Sequence, residues 1–158
     1  MLAGIIKNND AFARLDIRKN QIGNEGLKRL IKGLRCNKSI VHLDLGSNDL
    51  TSEGCIAFFN MLSIHPGITS VILSNCEGMH RNKLGSKSCG AIAGALETNK
   101  VLTMLDVADN SLGWEGVSLI CEGLVHNSNL MSLNLSHNDV SREAMPMLKA
   151  ALSRSCLK

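Results

Sequence analysis

Five times along 158 residues the chain repeats the pattern LxxLxLxxN: FARLDIRKNQIG from position 12, IVHLDLGSNDLT from 40, ITSVILSNC from 68, LTMLDVADNSLG from 102 and LMSLNLSHNDVS from 130. The starts lie 28, 28, 34 and 28 residues apart. A fixed period of this size belongs to stacked structural units, so the fold depends on what one unit forms and how it meets the next.

Each opening is followed by a second apolar series: Leu27, Leu30, Ile31, Leu34; then Cys55, Phe58, Phe59, Leu62; then Cys89, Ile92, Ala93, Leu96; then Val117, Ile120, Cys121, Leu124. That i, i+3, i+4, i+7 spacing is one face of a helix. A unit therefore reads as a short strand with its fourth and sixth positions inward, a turn, and an amphipathic helix returning to the next strand. Helices are about 10 Å wide and strands about 4.8 Å apart, so the stack must curve with the sheet inside. The expected fold is an α/β, right-handed β-α solenoid with a parallel concave sheet and convex helices. One unit buries too little apolar surface to offset its chain entropy, so stability must come from contacts between neighbours.

Asn20, Asn48, Asn110 and Asn138 hold the ninth position, where the strand turns away and leaves backbone groups without partners. A buried carboxamide can serve such groups through both donor and acceptor. In the third unit the same count lands on Cys76, read here as a substitute for the asparagine. Gly26, Gly54 and Gly116, at the helix entries, read as steric requirements.

LxxLxLxxN followed by LG and a helix, in units of 28, resembles the leucine-rich repeat family and its ribonuclease-inhibitor-like subclass. The resemblance covers residues 2–157 and implies a horseshoe arc that binds other macromolecules, mostly proteins. It divides the chain into a partial repeat at 1–11 and repeats at 12–39, 40–67, 68–101, 102–129 and 130–158. Neither end carries a recognisable cap, so the reading is a fragment of a longer array or a chain whose ends a partner covers, and the bare ends offer a route to self-association.

On such an arc the third, fifth and seventh strand positions face outward on the concave side. They place Arg14, His42 and Met104 in one column, Asp16, Asp44, Ile72, Asp106 and Asn134 in the next, and Arg18 in a third that is otherwise small (Gly46, Ser74, Ala108, Ser136). This is a candidate docking surface, cationic at one end and acidic at the other. The alternative is an ordinary solvated sheet with Arg14 and Arg18 neutralising Asp16.

The 34-residue step falls between strand end and helix start of the third repeat, in NCEGMHRNKLGSKSC (75–89). Extra residues there must bulge from the rim, where loops commonly carry function. Met79, His80 and Arg81 make the bulge amphipathic and basic. The single tryptophan, Trp114, takes a slot that is Asn24, Ser52, Ser86 and Arg142 in the other repeats. Bulge and indole read either as one partner-binding patch or as a plug in which Met79 packs on Trp114.

The remaining chemistry is sparse. No CxxC pair occurs among the six cysteines, which removes the usual zinc spacing and fits free thiols in an intracellular, cytoplasmic protein. GxSxG and GxxxxGK[ST] are missing and the five histidines are scattered, so no enzyme site and no cofactor is expected. Residues 1–38 hold nine Lys or Arg against three acids, but without interleaved aromatics nucleic-acid binding is disfavoured. No apolar run reaches the roughly 18 residues of a membrane span. The expected partner is another protein. The alternatives are a GTPase-regulating surface, which the resemblance to Ran GTPase-activating proteins allows, and a structural spacer.

Overall fold

The computed structural model of the chain describes residues 2–78, 80–141 and 145–154. Strands β1 (Arg14–Asp16), β2 (His42–Asp44), β3 (Ser70–Ile72), β4 (Met104–Asp106) and β5 (Ser132–Asn134) alternate with helices α1 (Leu2–Lys7), α2 (Gly23–Leu34), α3 (Ser52–Leu62), α4 (Cys89–Thr98), α5 (Gly113–Val125) and α6 (Met145–Arg154). A short 3-10 turn, Ser86–Ser88, leads into α4. The strands form one parallel sheet in chain order, each pairing only with its sequence neighbours. Their register follows the repeat: Arg14 pairs with His42, His42 with Ser70, Ser70 with Met104 and Met104 with Ser132. This is the expected α/β solenoid.

Alternation within each strand sets the layers. Leu43 and Leu45, Val71 and Leu73, and Leu105 and Val107 turn inward and are buried. They meet the helix residues Leu27, Leu30, Phe58, Phe59, Ile92, Leu96, Ile120 and Leu124 in one continuous apolar cluster from Ile6 to Leu130. Phe58 and Phe59 meet edge to face, ring centroids 5.5 Å apart. At the outermost strands Leu15, Ile17, Leu133 and Leu135 are only half-buried, because each lies against a neighbouring repeat on one side alone. Helix α1 packs on α2.

Close approach explains the glycines inside the stack. A Cβ at Gly54 would lie 2.5 Å from Asn24 Oδ1, and one at Gly116 would lie 2.6 Å from Cys89 Sγ. Among the described residues, no helix is long and apolar enough to cross a membrane.

Candidate functional site

Two ladders of hydrogen bonds hold the backbone that presents the surface. The first runs under the C-terminal ends of the strands. Asn48 Oδ1 accepts the amide of Asn20 at 2.9 Å, and its Nδ2 donates to the carbonyls of Ile17 (2.9 Å) and Gly46 (3.1 Å). Asn138 repeats the arrangement, its Oδ1 accepting the Asn110 amide at 2.8 Å and its Nδ2 donating to the Val107 carbonyl, and Asn110 repeats the donor half, with Nδ2 donating to the carbonyls of Leu73, Val107 and Ala108. Each of these asparagines lies between two left-handed residues, such as Ser47 and Asp49 (φ 50° and 57°) or Asp109 and Ser111 (φ 56° and 54°). The strand thereby turns sharply without glycine.

In the third repeat the structure corrects the assignment of Cys76. Asn82 is the ladder residue: its Oδ1 accepts the amides of Asn48 (2.9 Å) and Leu50 (3.0 Å), and its Nδ2 donates to the carbonyls of Leu45 and Leu73. The extra residues thus enter before the ladder position, whereas counting forward from the strand places them after it. Cys76 is half-buried, and its amide donates to Ser47 Oγ at 2.7 Å. A thiol could not have served four backbone groups. The usable signal is the triplet of asparagine, any residue, apolar residue, found at Asn48-Asp49-Leu50, Asn110-Ser111-Leu112 and Asn82-Lys83-Leu84.

The second ladder crosses the opposite end, where helices return to strands. Asn37 donates to the carbonyls of Ile6 (2.8 Å) and Asn9 (2.7 Å) and accepts from the amides of Ser39 and Ile40. Asn99 and Asn127 do the same for their own repeats. His65 occupies this place in the second repeat, with Nδ1 taking the amides of Gly67 and Ile68 at 3.2 Å each. The sequence reading missed this row. Its signal is a polar residue three positions before each repeat's first apolar residue.

On this scaffold the outward columns come into register. Arg14, Asp16 and His42 are exposed, Asp44, Ile72, Met104 and Asp106 are half-buried, and Asn134 is exposed. Ser70 is buried, its hydroxyl 3.6 Å from the sulfur of Met104. Arg14, Asp16, Arg18, His42, Leu43, Asp44 and Ile72 line a shallow cavity of about 160 Å³.

Local bonds occupy part of the fifth-position column. One side-chain oxygen of Asp16, Asp44, Asp106 and Asn134 accepts the amide two residues on, at 3.2, 2.9, 3.0 and 3.1 Å. Arg18 pairs with Asp16 at 2.8 Å and reaches Asp44 at 3.9 Å, whereas Arg14 makes no ion pair among the described residues. Burial raises the Asp44 carboxyl above its ordinary range; the Gly46 amide opposes this, and the Asp16 charge adds to it. Gly46 is set by close approach of the next strand, because a Cβ there would lie 2.7 Å from the Ser74 carbonyl oxygen.

The inserted loop lies across the rim between its neighbours. His80 Nδ1 is 2.9 Å from Asp49 Oδ2 in the repeat before, and Arg81 pairs with Asp109 in the repeat after. Lys83 bridges to Thr51 through its backbone. Trp114 is 48% exposed at the start of α5 and makes no ring or cation–π contact among the described residues. Met79 and Arg142 lie outside the described residues, so the packing of Met79 on Trp114 does too. Among the described residues no group of His, Cys, Asp or Glu is placed to hold a metal ion.

Comparison with known proteins agrees with this architecture. A family model described as "Leucine Rich repeat" matches residues 14–30, 36–59, 98–121 and 126–145. The chain belongs to the leucine-rich repeat family. Among curated proteins it is 31% identical to NACHT, LRR and PYD domains-containing protein 12 of Mus musculus, over 98% of this chain and 17% of that protein. It is 32% identical to NACHT, LRR and PYD domains-containing protein 3 of Bos taurus, over 86% of this chain and 16% of that protein. The chain thus spans less than a fifth of the length of these relatives. Among solved structures, Leiomodin-1 Actin-Binding Site 2 superposes with a TM-score of 0.78 at 23% identity, covering 96% of this chain and 86% of that one. The Caenorhabditis elegans tropomodulin C-terminal domain gives 0.74 at 17% identity, covering 96% and 89%. At these identities the likeness is one of fold.

Proposed function

We propose that the chain is a non-catalytic protein-binding segment of a leucine-rich repeat protein. Its partner docks on the concave columns of Arg14, Asp16, Arg18, His42, Asp44, Ile72, Met104, Asp106 and Asn134, with His80, Arg81 and Trp114 adding the rim of the third repeat. The observation that carries this reading is the register of the sheet, which aligns outward side chains across five strands. Because both ends of every internal strand are tied by ladders, the surface is ordered before a partner arrives, and little entropy is lost on docking.

The surface is mixed in kind: cations at Arg14 and Arg18, an apolar strip at Ile72 and Met104, and acids at Asp44 and Asp106. Such a strip calls for a partner with an apolar anchor between groups of opposite charge, a fit that favours selectivity over strength. The repeats are also what the chain shares with relatives whose names contain LRR.

Capture by cross-linking from a cell extract, with wild type, Ile72→Arg and Arg14→Glu, tests the proposal. The same protein should be retained by wild type and lost from both variants while their melting temperatures stay unchanged. Retention by both variants would refute docking on the concave face and leave a spacer.

A further inference from the structure

The first asparagine ladder has one open rung. At the other joints the backbone amide of one ladder asparagine reaches the carboxamide oxygen of the next: Asn20 to Asn48 at 2.9 Å, Asn48 to Asn82 at 2.9 Å, and Asn110 to Asn138 at 2.8 Å. That rule would bring the Asn82 amide to Asn110 Oδ1. It goes instead to Asn75 Oδ1, at 2.6 Å.

Asn110 is otherwise in its usual place. It is fully buried, and its Nδ2 donates to the carbonyls of Leu73, Val107 and Ala108. Its Oδ1 is the buried side-chain oxygen that lacks a partner among the described residues. A buried acceptor without a donor is destabilising, and native structures hold few of them. The donor that would satisfy it is held by the inserted loop.

We infer that Asn75 and Asn110 compete for one donor, the Asn82 amide, and that the inserted loop is a latch on the joint between the third and fourth repeats. With the latch closed, Asn75 holds the amide and the rung stays open. Once it is released, the peptide between Arg81 and Asn82 rotates, the amide passes to Asn110 Oδ1, and the ladder runs unbroken.

The two sides of this competition differ in kind. The loop is fastened by two exposed side-chain pairs, His80 to Asp49 and Arg81 to Asp109, and by the half-buried Asn75, whose Nδ2 donates to the carbonyls of Asn82 and Asp109. Exposed pairs of this sort hold weakly and are screened by salt. The waiting acceptor is buried, where a hydrogen bond counts for more. The Asn82 side chain keeps its four bonds in either state, so only its own amide changes partner. A partner carboxylate that draws Arg81 from Asp109 would loosen the latch.

Backbone geometry supports the same switch. Arg81 and Lys83, which flank Asn82, are not left-handed, unlike the residues that flank Asn20, Asn48, Asn110 and Asn138. The third turn is therefore in a different state from its four counterparts.

Amide hydrogen exchange of the 158-residue chain, read by NMR at Asn82 with Asn48 as internal reference, tests the latch. In Asn75→Ala the Asn82 amide should keep its protection to better than tenfold, because Asn110 receives it. In Asn75→Ala/Asn110→Ala neither acceptor remains, and protection at Asn82 should fall by about tenfold or more. A tenfold fall in Asn75→Ala alone overturns the proposal. Should the double variant not fold, deletion of residues 76–81 decides: it leaves LSNNKLG, in step with LGSNDLT of the second repeat. That variant should have a protected Asn82 amide and a higher Tm, and an unprotected amide or a lower Tm overturns the latch.

Discussion

His65 Nε2 lies 3.1 Å from the carbonyl oxygen of Asn37, and Asn37 Nδ2 lies 2.7 Å from the carbonyl oxygen of Asn9. One imidazole therefore does what a carboxamide does one repeat earlier. Its Nδ1 accepts the amides of Gly67 and Ile68, so the ring carries its proton on Nε2. His65→Asn should leave the stability of the chain within about 1 kcal/mol of wild type, since Asn37 and Asn99 show that asparagine fits this turn. His65→Leu removes a donor and an acceptor from a buried site and should cost about 1–3 kcal/mol. Urea unfolding of the two variants measures the difference, and equal losses would refute the substitution rule.

Burial separates the ladder positions. Asn48 is fully buried between two repeats, whereas Asn20, at the outer edge of the sheet, is exposed. Asn48→Ala strands the Asn20 amide and the carbonyls of Ile17 and Gly46, and should lower stability by about 2–4 kcal/mol. Asn20→Ala leaves groups that water can reach, so the loss should stay below about 1 kcal/mol. The comparison is a difference in unfolding midpoint at constant m-value.

The strands, the helices and the inward residues were legible because apolar burial repeats at a fixed interval, which composition alone cannot hide. The ladder was legible at Asn20, Asn48, Asn110 and Asn138 for the same reason. It failed at Asn82 because insertions are tolerated on either side of a turn residue, and counting from Ile72 forward cannot say on which side the six extra residues lie. His65 escaped because two residue types with one hydrogen-bonding geometry share no letter. Position five reads as outward-facing acid in sequence, but each Asp there also caps its own strand through the amide two residues on, which only coordinates reveal.

Glycines in the helices divide sharply by what surrounds them. A Cβ at Gly123 would lie 2.6 Å from the Ala93 carbonyl oxygen, and one at Gly33 would lie 2.5 Å from the Ala3 carbonyl oxygen. Both neighbours are backbone of the preceding helix and cannot swing away. Gly123→Ala should cost about 1–3 kcal/mol by forcing α5 from α4. Gly90 and Gly94 lie on α4 with nothing within 4 Å. At Gly94, within the helix, alanine should instead add about 0.5–1 kcal/mol through its higher helix propensity. Thermal melts of G123A and G94A should move in opposite directions.

Buried thiols give the alkaline limit of the fold. Burial pushes Cys55 up to about 12 and Cys89 up to about 11, from an ordinary value of 9.0. A thiol whose folded value lies above its unfolded one holds its proton more tightly in the native state. Its contribution is complete below about pH 9 and is lost as pH rises through the folded values, because the unfolded chain ionises first. Unfolding midpoints in urea should therefore be level near pH 7 to 8 and fall above pH 9. Cys55→Val/Cys89→Val should flatten that fall, since Val117 already fills the equivalent place in α5. Alkylation at pH 8 should follow the same division: Cys36, which is exposed, reacts in the native state, and Cys55 and Cys89 react only on unfolding. Native-state labelling of Cys55 at the rate of Cys36 would show that the α3–α4 interface opens.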